Sequence, residues 1–308
     1  MSKRVFMFPG QGSQYIGMGK EFYDTMSNAK AVIDLASEQT GLNIPALCFE
    51  ENDKLNITEY TQICMLAVEA AIYQAIIDKG ITPDVTAGLS LGEYGALIAS
   101  GAMTMADAFA VVRKRGIYMQ EAVPTGGAMT AVLGLDPQVI EDICKKTADE
   151  TNSVVSVANY NCPGQIVITG EKAAVDAAAA ACSEAGAKRC VPLKVSGPFH
   201  SAMLKGAGEK LADALESVEI HDIKVPYITN VTADYVKSPA DVKDYLTQQV
   251  SSSVRWQQTI ERLIADGADE FVEIGPGRSL SGFMRKINRD VKVVNIDKLE
   301  DFEKYVNR

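Results

Sequence analysis

The segment DVTAGLSLGEYGALIASG, residues 84–101, restricts the fold of this chain more than any other. A short apolar run breaks on Gly88-Leu89-Ser90-Leu91-Gly92, and a helical pattern begins at once. A strand that becomes a helix within one tight turn belongs to an α/β architecture, in which helices cover a largely parallel sheet. The turn itself fits the GxSxG nucleophile elbow, where a sharp bend lifts a serine hydroxyl clear of the sheet. Flanking residues without a Cβ let strand and helix pass closely around a strained serine. The plainer reading is a glycine-rich turn that only packs a helix against a sheet.

The rest of the chain supports the α/β class. Lys3–Phe8 is a short apolar run that stops at Pro9-Gly10, as expected of a buried strand feeding a loop over residues 9–19. Residues 58–79 carry a wide apolar stripe and end before Gly80, and residues 105–120 form a second helix. Between residues 127 and 195 the pattern reads strand, helix, strand, strand, helix, strand, the order of a split βαβ, ferredoxin-like unit. At 308 residues the chain exceeds the usual size of one compact core. We therefore expect a large domain from residues 1–125 and 196–308, interrupted by a ferredoxin-like subdomain at 126–195. Strands are expected in VPYIT, EFVEI and KVVNI.

A net charge of −10 argues against a nucleic-acid partner, which calls for a basic face. The six cysteines lack CxxC pairs and zinc-type spacing to histidine, so they read as buried reduced thiols, with no metal and no cofactor. The N-terminal apolar run is too short for a signal or a membrane span, and a cytoplasmic protein is expected.

A serine nucleophile needs a base that titrates near working pH, and only His200 and His221 are available. His200 ends Ser196-Gly197-Pro198-Phe199-His200, a loop leaving a strand, and is the better candidate. His221 lies among charged neighbours and reads as a solvated residue. The order serine then histidine, with a long stretch of chain still to follow, departs from the α/β-hydrolase plan. Gly10-Gln11-Gly12 is no dinucleotide fingerprint, because Tyr15 stands where glycine is needed. Its N–H groups are better placed to face the crevice that Ser90 faces. The turn at Glu273-Ile274-Gly275-Pro276-Gly277 is given no catalytic role.

With PGQGSQ, GLSLGEYGALIASG, RKRGIYMQEAVP, SGPFHS, QQVSSSVRW and EIGPG in this order, the chain resembles the malonyl-CoA:acyl-carrier-protein transacylases, acyltransferases of fatty acid and polyketide synthesis. The resemblance runs over nearly the whole length. It implies an α/β-hydrolase-like large domain with an inserted ferredoxin-like subdomain. It also implies Ser90 as nucleophile, His200 as base, and the N–H groups of Gln11 and Leu91 as the oxyanion hole. Arg115 is similar to the arginine that holds the malonyl carboxylate, whereas Arg113 and Lys114 read as exposed helix charges. Gln249 matches the glutamine that orients the imidazole, with Gln248 beside it as the alternative register. Leu89 departs from the histidine that many relatives carry before the nucleophile, and Phe199 resembles malonyl-selective enzymes.

The implied substrates are malonyl-CoA and an acyl carrier protein. An acidic carrier calls for a local basic patch, for which Arg285 and Lys286, within an acid-free stretch that also holds Arg278 and Arg289, and Lys188 with Arg189 are the candidates. The competing functions are a serine thioesterase or hydrolase, an acyltransferase for another short acyl-CoA, and a non-catalytic acyl-binding protein.

Overall fold

The computed structural model describes residues 3–195 and 197–307. Ser196, the first residue expected of the returning large domain, and Met1, Ser2 and Arg308 lie outside the described residues. The strands, in chain order, are β1 (Lys3–Phe8), β2 (Val85–Gly88), β3 (Gly127–Leu133), β4 (Val155–Cys162), β5 (Gln165–Glu171), β6 (Arg189–Pro192), β7 (Tyr227–Ile228), β8 (Ala268–Ile274) and β9 (Lys292–Ile296). They form two sheets. One has the order β7-β2-β1-β8-β9, with every pairing parallel. The other has the order β4-β5-β3-β6, with every pairing antiparallel. The second order is that of a ferredoxin-like sheet, built as expected from strands between residues 127 and 192.

Strand β1 is apolar from Val5 onward because both of its faces are covered there. Val5, Phe6, Met7 and Phe8 are all fully buried. Parallel pairing also sets the site, since the loops after β1 and β2 leave the same edge of the sheet as that after β8. Ligands in such sheets bind beyond this carboxyl edge. The apolar stripe expected over residues 58–79 proves to be an all-round apolar helix, Thr58–Ile77, long and apolar enough to span a membrane by composition. Here 83% of its apolar window is buried inside the fold, and it packs against Met105–Ala122. Strand VPYIT is reduced to the two residues of β7, which end in a bend toward Asn230.

The turn at residues 88–92 is crowded. A Cβ on Gly92 would stand 2.1 Å from the main-chain oxygen of Phe8, so strand β1 and the helix Gly92–Ser100 touch through bare backbone. Gly282, in the helix Ser279–Ile287, has nothing within 4 Å of its Cβ position. Gly92→Ala is expected to destabilise the fold by about 1–3 kcal/mol or more through overpacking. Gly282→Ala should stabilise it by about 0.5–1 kcal/mol by helix propensity alone. Urea unfolding midpoints of the two variants check both signs.

Candidate active site

Ser90 sits at the bend with φ 54°, a left-handed backbone that a residue with a Cβ seldom adopts. His200, which arrives from the loop after the antiparallel sheet, is also left-handed at φ 60°. The bends bring Ser90 Oγ and His200 Nε2 to 2.8 Å. On the far side of the ring Nδ1 lies 2.8 Å from the main-chain oxygen of Gln249. A carbonyl only accepts, so Nδ1 carries the proton and Nε2 of the neutral ring is left as an acceptor for the serine hydroxyl.

Gln249 is fully buried and the neighbouring Gln248 exposed, which decides the register between them. The main chain of Gln249, rather than its amide, meets the imidazole. The amide works elsewhere. Its Oε1 accepts from Arg115 Nη2 at 3.0 Å, and its Nε2 donates to Ser90 O at 3.0 Å and to Glu93 Oε2 at 2.7 Å.

Arg115 is 1% exposed. It reaches this depth because the helices Thr58–Ile77 and Met105–Ala122 touch at Gly116, where a Cβ would lie 2.9 Å from Glu59 Cα. Its Nη1 donates to Gln62 Oε1 at 2.6 Å, and its Nη2 donates to Ser90 Oγ at 3.2 Å as well as to Gln249. These partners are two amide oxygens and a hydroxyl, with no carboxylate among them. Lys114 is exposed as expected, but Arg113 is not. It is half-buried in an ion pair with Glu59 at 2.8 Å and lies over the Tyr60 ring, because the same helix contact that buries Arg115 covers its neighbour.

Ser90, His200, Arg115 and Gln62 open onto a cleft between the two sheets. Gln11 and Leu91 line it beside Ser90, and neither N–H is taken up by a main-chain carbonyl among the described residues. Leu89 lies against Gly10 beneath the loop that carries Gln11. Phe199, Met119, Met129 and Val167 supply apolar wall, while Asn159 and Asn161 come from β4. Strand β4 is tied to the segment after Gln249 by Val254 N to Ala158 O at 2.8 Å and Tyr160 N to Val254 O at 2.9 Å. Residues missed in the sequence are Gln62, Glu93 and Asn230. Glu93 was within reach, as an acid inside an otherwise apolar helix start, but Gln62 and Asn230 carry no local signal.

His221 lies away from the cleft, half-exposed and 3.6 Å from Glu219. Glu273 caps the helix Ser279–Ile287 by accepting from the N–H groups of Leu280 and Ser281, in keeping with a structural turn. The basic residues divide. Lys286 Nζ reaches Gln165 Oε1 at 3.2 Å, and Gln165 and Arg189 both pair with Leu133 across adjacent strands, with Lys188 alongside. Arg285 faces a separate groove with Arg278, Asp301 and Lys304.

The electrostatics follow from burial. Desolvation pushes the His200 imidazole down to about 4, with the Arg115 charge adding to the effect. Arg115 is itself lowered, chiefly by desolvation. Burial pushes Glu93 up to about 7 against the hydrogen bonds it accepts.

Residues 5–296 match the family model described as an acyl transferase domain, so the fold and cleft are those of an acyl-transfer enzyme. A malonyl CoA-acyl carrier protein transacylase of Bacillus subtilis (strain 168) is 47% identical over 98% of this chain and 96% of its own. The solved structure of a malonyl CoA-acyl carrier protein transacylase from Clostridium perfringens covers 99% of this chain and 96% of its own at 42% identity, with a TM-score of 0.95. A malonyl-transacylase solved in complex with a type II PKS acyl-carrier protein is 38% identical, covers 99% of both chains and has a TM-score of 0.96. The chain belongs to the malonyl-CoA:acyl-carrier-protein transacylases of the acyl transferase family.

The buried imidazole has a consequence for stability. Between about 4 and the ordinary value of 6.5 the unfolded chain takes up the His200 proton first, so stability is full above this window and falls with pH across it. The slope from one such group is roughly 1.4 kcal/mol per pH unit inside the window. His200→Gln is expected to remove this contribution, so that the unfolding free energy rises less with pH across the window than in the parent, against the opposite slope from the raised Glu93, which paired urea titrations of the two proteins check.

Proposed function

We propose that this chain transfers a malonyl group from malonyl-CoA to the phosphopantetheine thiol of an acyl carrier protein, through a malonyl ester on Ser90, and so supplies fatty acid synthesis. The observation that carries this reading is Arg115, a fully buried cation 3.2 Å from Ser90 Oγ whose partners are neutral. Glu93 acts on this charge only at a distance, through Gln249, so the guanidinium has no carboxylate in direct contact, and a buried cation in that state is suited to an anionic substrate. A planar guanidinium receives a carboxylate through two parallel bonds.

In the first half-reaction Ser90 Oγ attacks the thioester carbonyl carbon and its proton passes to His200 Nε2. The oxyanion accepts from the N–H groups of Gln11 and Leu91, the C–S bond breaks, and His200 returns the proton to the departing coenzyme A sulfur. In the second half-reaction His200 takes the proton of the carrier thiol, whose sulfur attacks the ester. The C–O bond to Ser90 breaks and Ser90 regains its proton. Gln249 orients the ring through its carbonyl, which also stabilises the imidazolium.

Binding of the malonyl carboxylate has a second effect. Arg115 holds the His200 pKa down, so a substrate anion that neutralises Arg115 lets the imidazole become more basic as the acyl group arrives. An acyl group with no carboxylate offers no such compensation. A serine thioesterase would need no cation at this place. Free cysteines and the absence of disulfides among the described residues support a reducing, cytoplasmic location.

For the carrier we propose docking across the two sheets, on Lys188, Arg189 and Lys286, with Arg285 at the margin; residues 126–195 act as the subdomain that supplies the far wall.

Arg115→Ala is expected to lower kcat/KM for malonyl-CoA by about 100-fold or more, since each charge-assisted bond contributes roughly 1.5–3 kcal/mol. It should cost less with acetyl-CoA, which offers the guanidinium no carboxylate. Intact-mass detection of the Ser90 adduct with each thioester checks this, and an unchanged malonyl rate would remove the main support for malonyl selection. Lys286→Glu should raise KM for the carrier protein and leave that for malonyl-CoA unchanged, with the difference shrinking as salt is added.

A further inference from the structure

Ser90 persists in its left-handed backbone only if its surroundings hold it there. Asn230, just beyond β7, does so from both ends of the bend. Its Oδ1 accepts from Ser90 N at 2.6 Å, and its Nδ2 donates to Gly88 O at 2.6 Å. Asn230 is fixed in turn by Glu93, whose Oε2 accepts from Asn230 N at 3.0 Å. The same oxygen accepts from Gln249 Nε2 at 2.7 Å, and the main-chain oxygen of Gln249 is the partner of His200 Nδ1. A single carboxylate oxygen therefore joins the residue that bends the serine to the residue that orients the imidazole. Glu93, Asn230 and Gln249 are all fully buried, and none of them lines the cleft.

We propose that Asn230 and Glu93 are positioning residues for acyl transfer: Asn230 clamps the bend at Ser90, and Glu93 locks Asn230 and Gln249 in register so that hydroxyl and imidazole stay in line. This rests on the reading of Ser90 and His200 as nucleophile and base. Neither Asn230 nor Glu93 touches substrate, so both act on the rate of acylation and leave substrate binding alone.

The lock depends on charge. Ionised Glu93 accepts from two donors through Oε2, and a proton taken up on Oε1, which has no hydrogen-bond partner among the described residues, leaves Oε2 a weaker acceptor for both. The titratable groups around it are Arg115 from the Met105–Ala122 helix, Tyr94 from its own helix and Tyr227 from β7, with His200 linked through Gln249. Both tyrosines are raised by burial and stay neutral near pH 7, and Arg115 stays charged, so Glu93 is the group among them that changes charge there. Its position at about 7 places the loss of the lock on the acid side of neutrality.

The test measures the rate of malonyl adduct formation on Ser90 by quenched intact-mass spectrometry, with KM and a pH profile, in the full chain. Asn230→Ala is expected to slow acylation about 100-fold, the cost of a small misplacement of reacting groups, with malonyl-CoA KM within about threefold of the parent. If Asn230→Ala does not fold, Asn230→Asp carries the test. It has the same shape but sets a carboxylate oxygen against Gly88 O, and it should be slowed similarly. Glu93→Gln is neutral at every pH, so it should acylate at the slower rate of the protonated parent throughout and lose the step near pH 7, keeping only the lower limb of His200, whereas a purely structural loss would lower the rate equally at every pH and keep the step. A folded Asn230 variant that acylates at the parent rate, or a Glu93→Gln variant that keeps the step near pH 7, overturns the proposal. If the parent protein forms no adduct on Ser90, the nucleophile assignment has failed first and the positioning role falls with it.

Discussion

The site depends on one hydroxyl shared between two opposed demands. Ser90 Oγ lies 2.8 Å from a neutral imidazole nitrogen and 3.2 Å from a buried guanidinium. The imidazole draws the hydroxyl proton, and the guanidinium stabilises negative charge on the same oxygen. Burial lowers the pKa of both His200 and Arg115, and the Arg115 charge adds to the lowering at His200. An anion beside the guanidinium would offset the part of the His200 shift that comes from the Arg115 charge.

The architecture explains how such a cluster is held. The parallel sheet sends the loops after β1 and β2 out of one edge, which puts Gln11, Ser90 and Leu91 side by side. His200 comes from chain returning out of the antiparallel sheet, and Gln249 comes from the end of the helix Val242–Gln249, just before the segment that holds β4. A shift of either sheet would part the serine from the imidazole. Packing between the two units is therefore as much a determinant of the geometry as the local turn.

Much of this was legible before any coordinates. The strand–turn–helix at residues 84–101 and the ferredoxin-like strand order were readable because their causes are local: apolar periodicity, a bare-backbone crossing, and turn residues at fixed places. Chemistry confined to rare residue types was also readable, since two histidines leave little choice. Arg113 was misread because its ion pair with Glu59 is made by a helix distant in sequence. Strand β7 came out shorter than its apolar run because only two of its residues pair with β2. Gln62 and Asn230 carry no pattern, because a polar side chain looks solvated until packing encloses it.

The amino-acid sequence by itself determined where a strand must turn into a helix, that the turn carries a serine, and which histidine could serve it. Tertiary structure alone decided that the main chain of Gln249 faces the ring, that Arg115 is enclosed by neutral amides, and that Glu93 joins Asn230 to Gln249. The reason is range. Propensity and turn geometry act over a few neighbouring residues, whereas the solvation and charge of a side chain are set by whatever the whole fold brings to within a few ångströms of it.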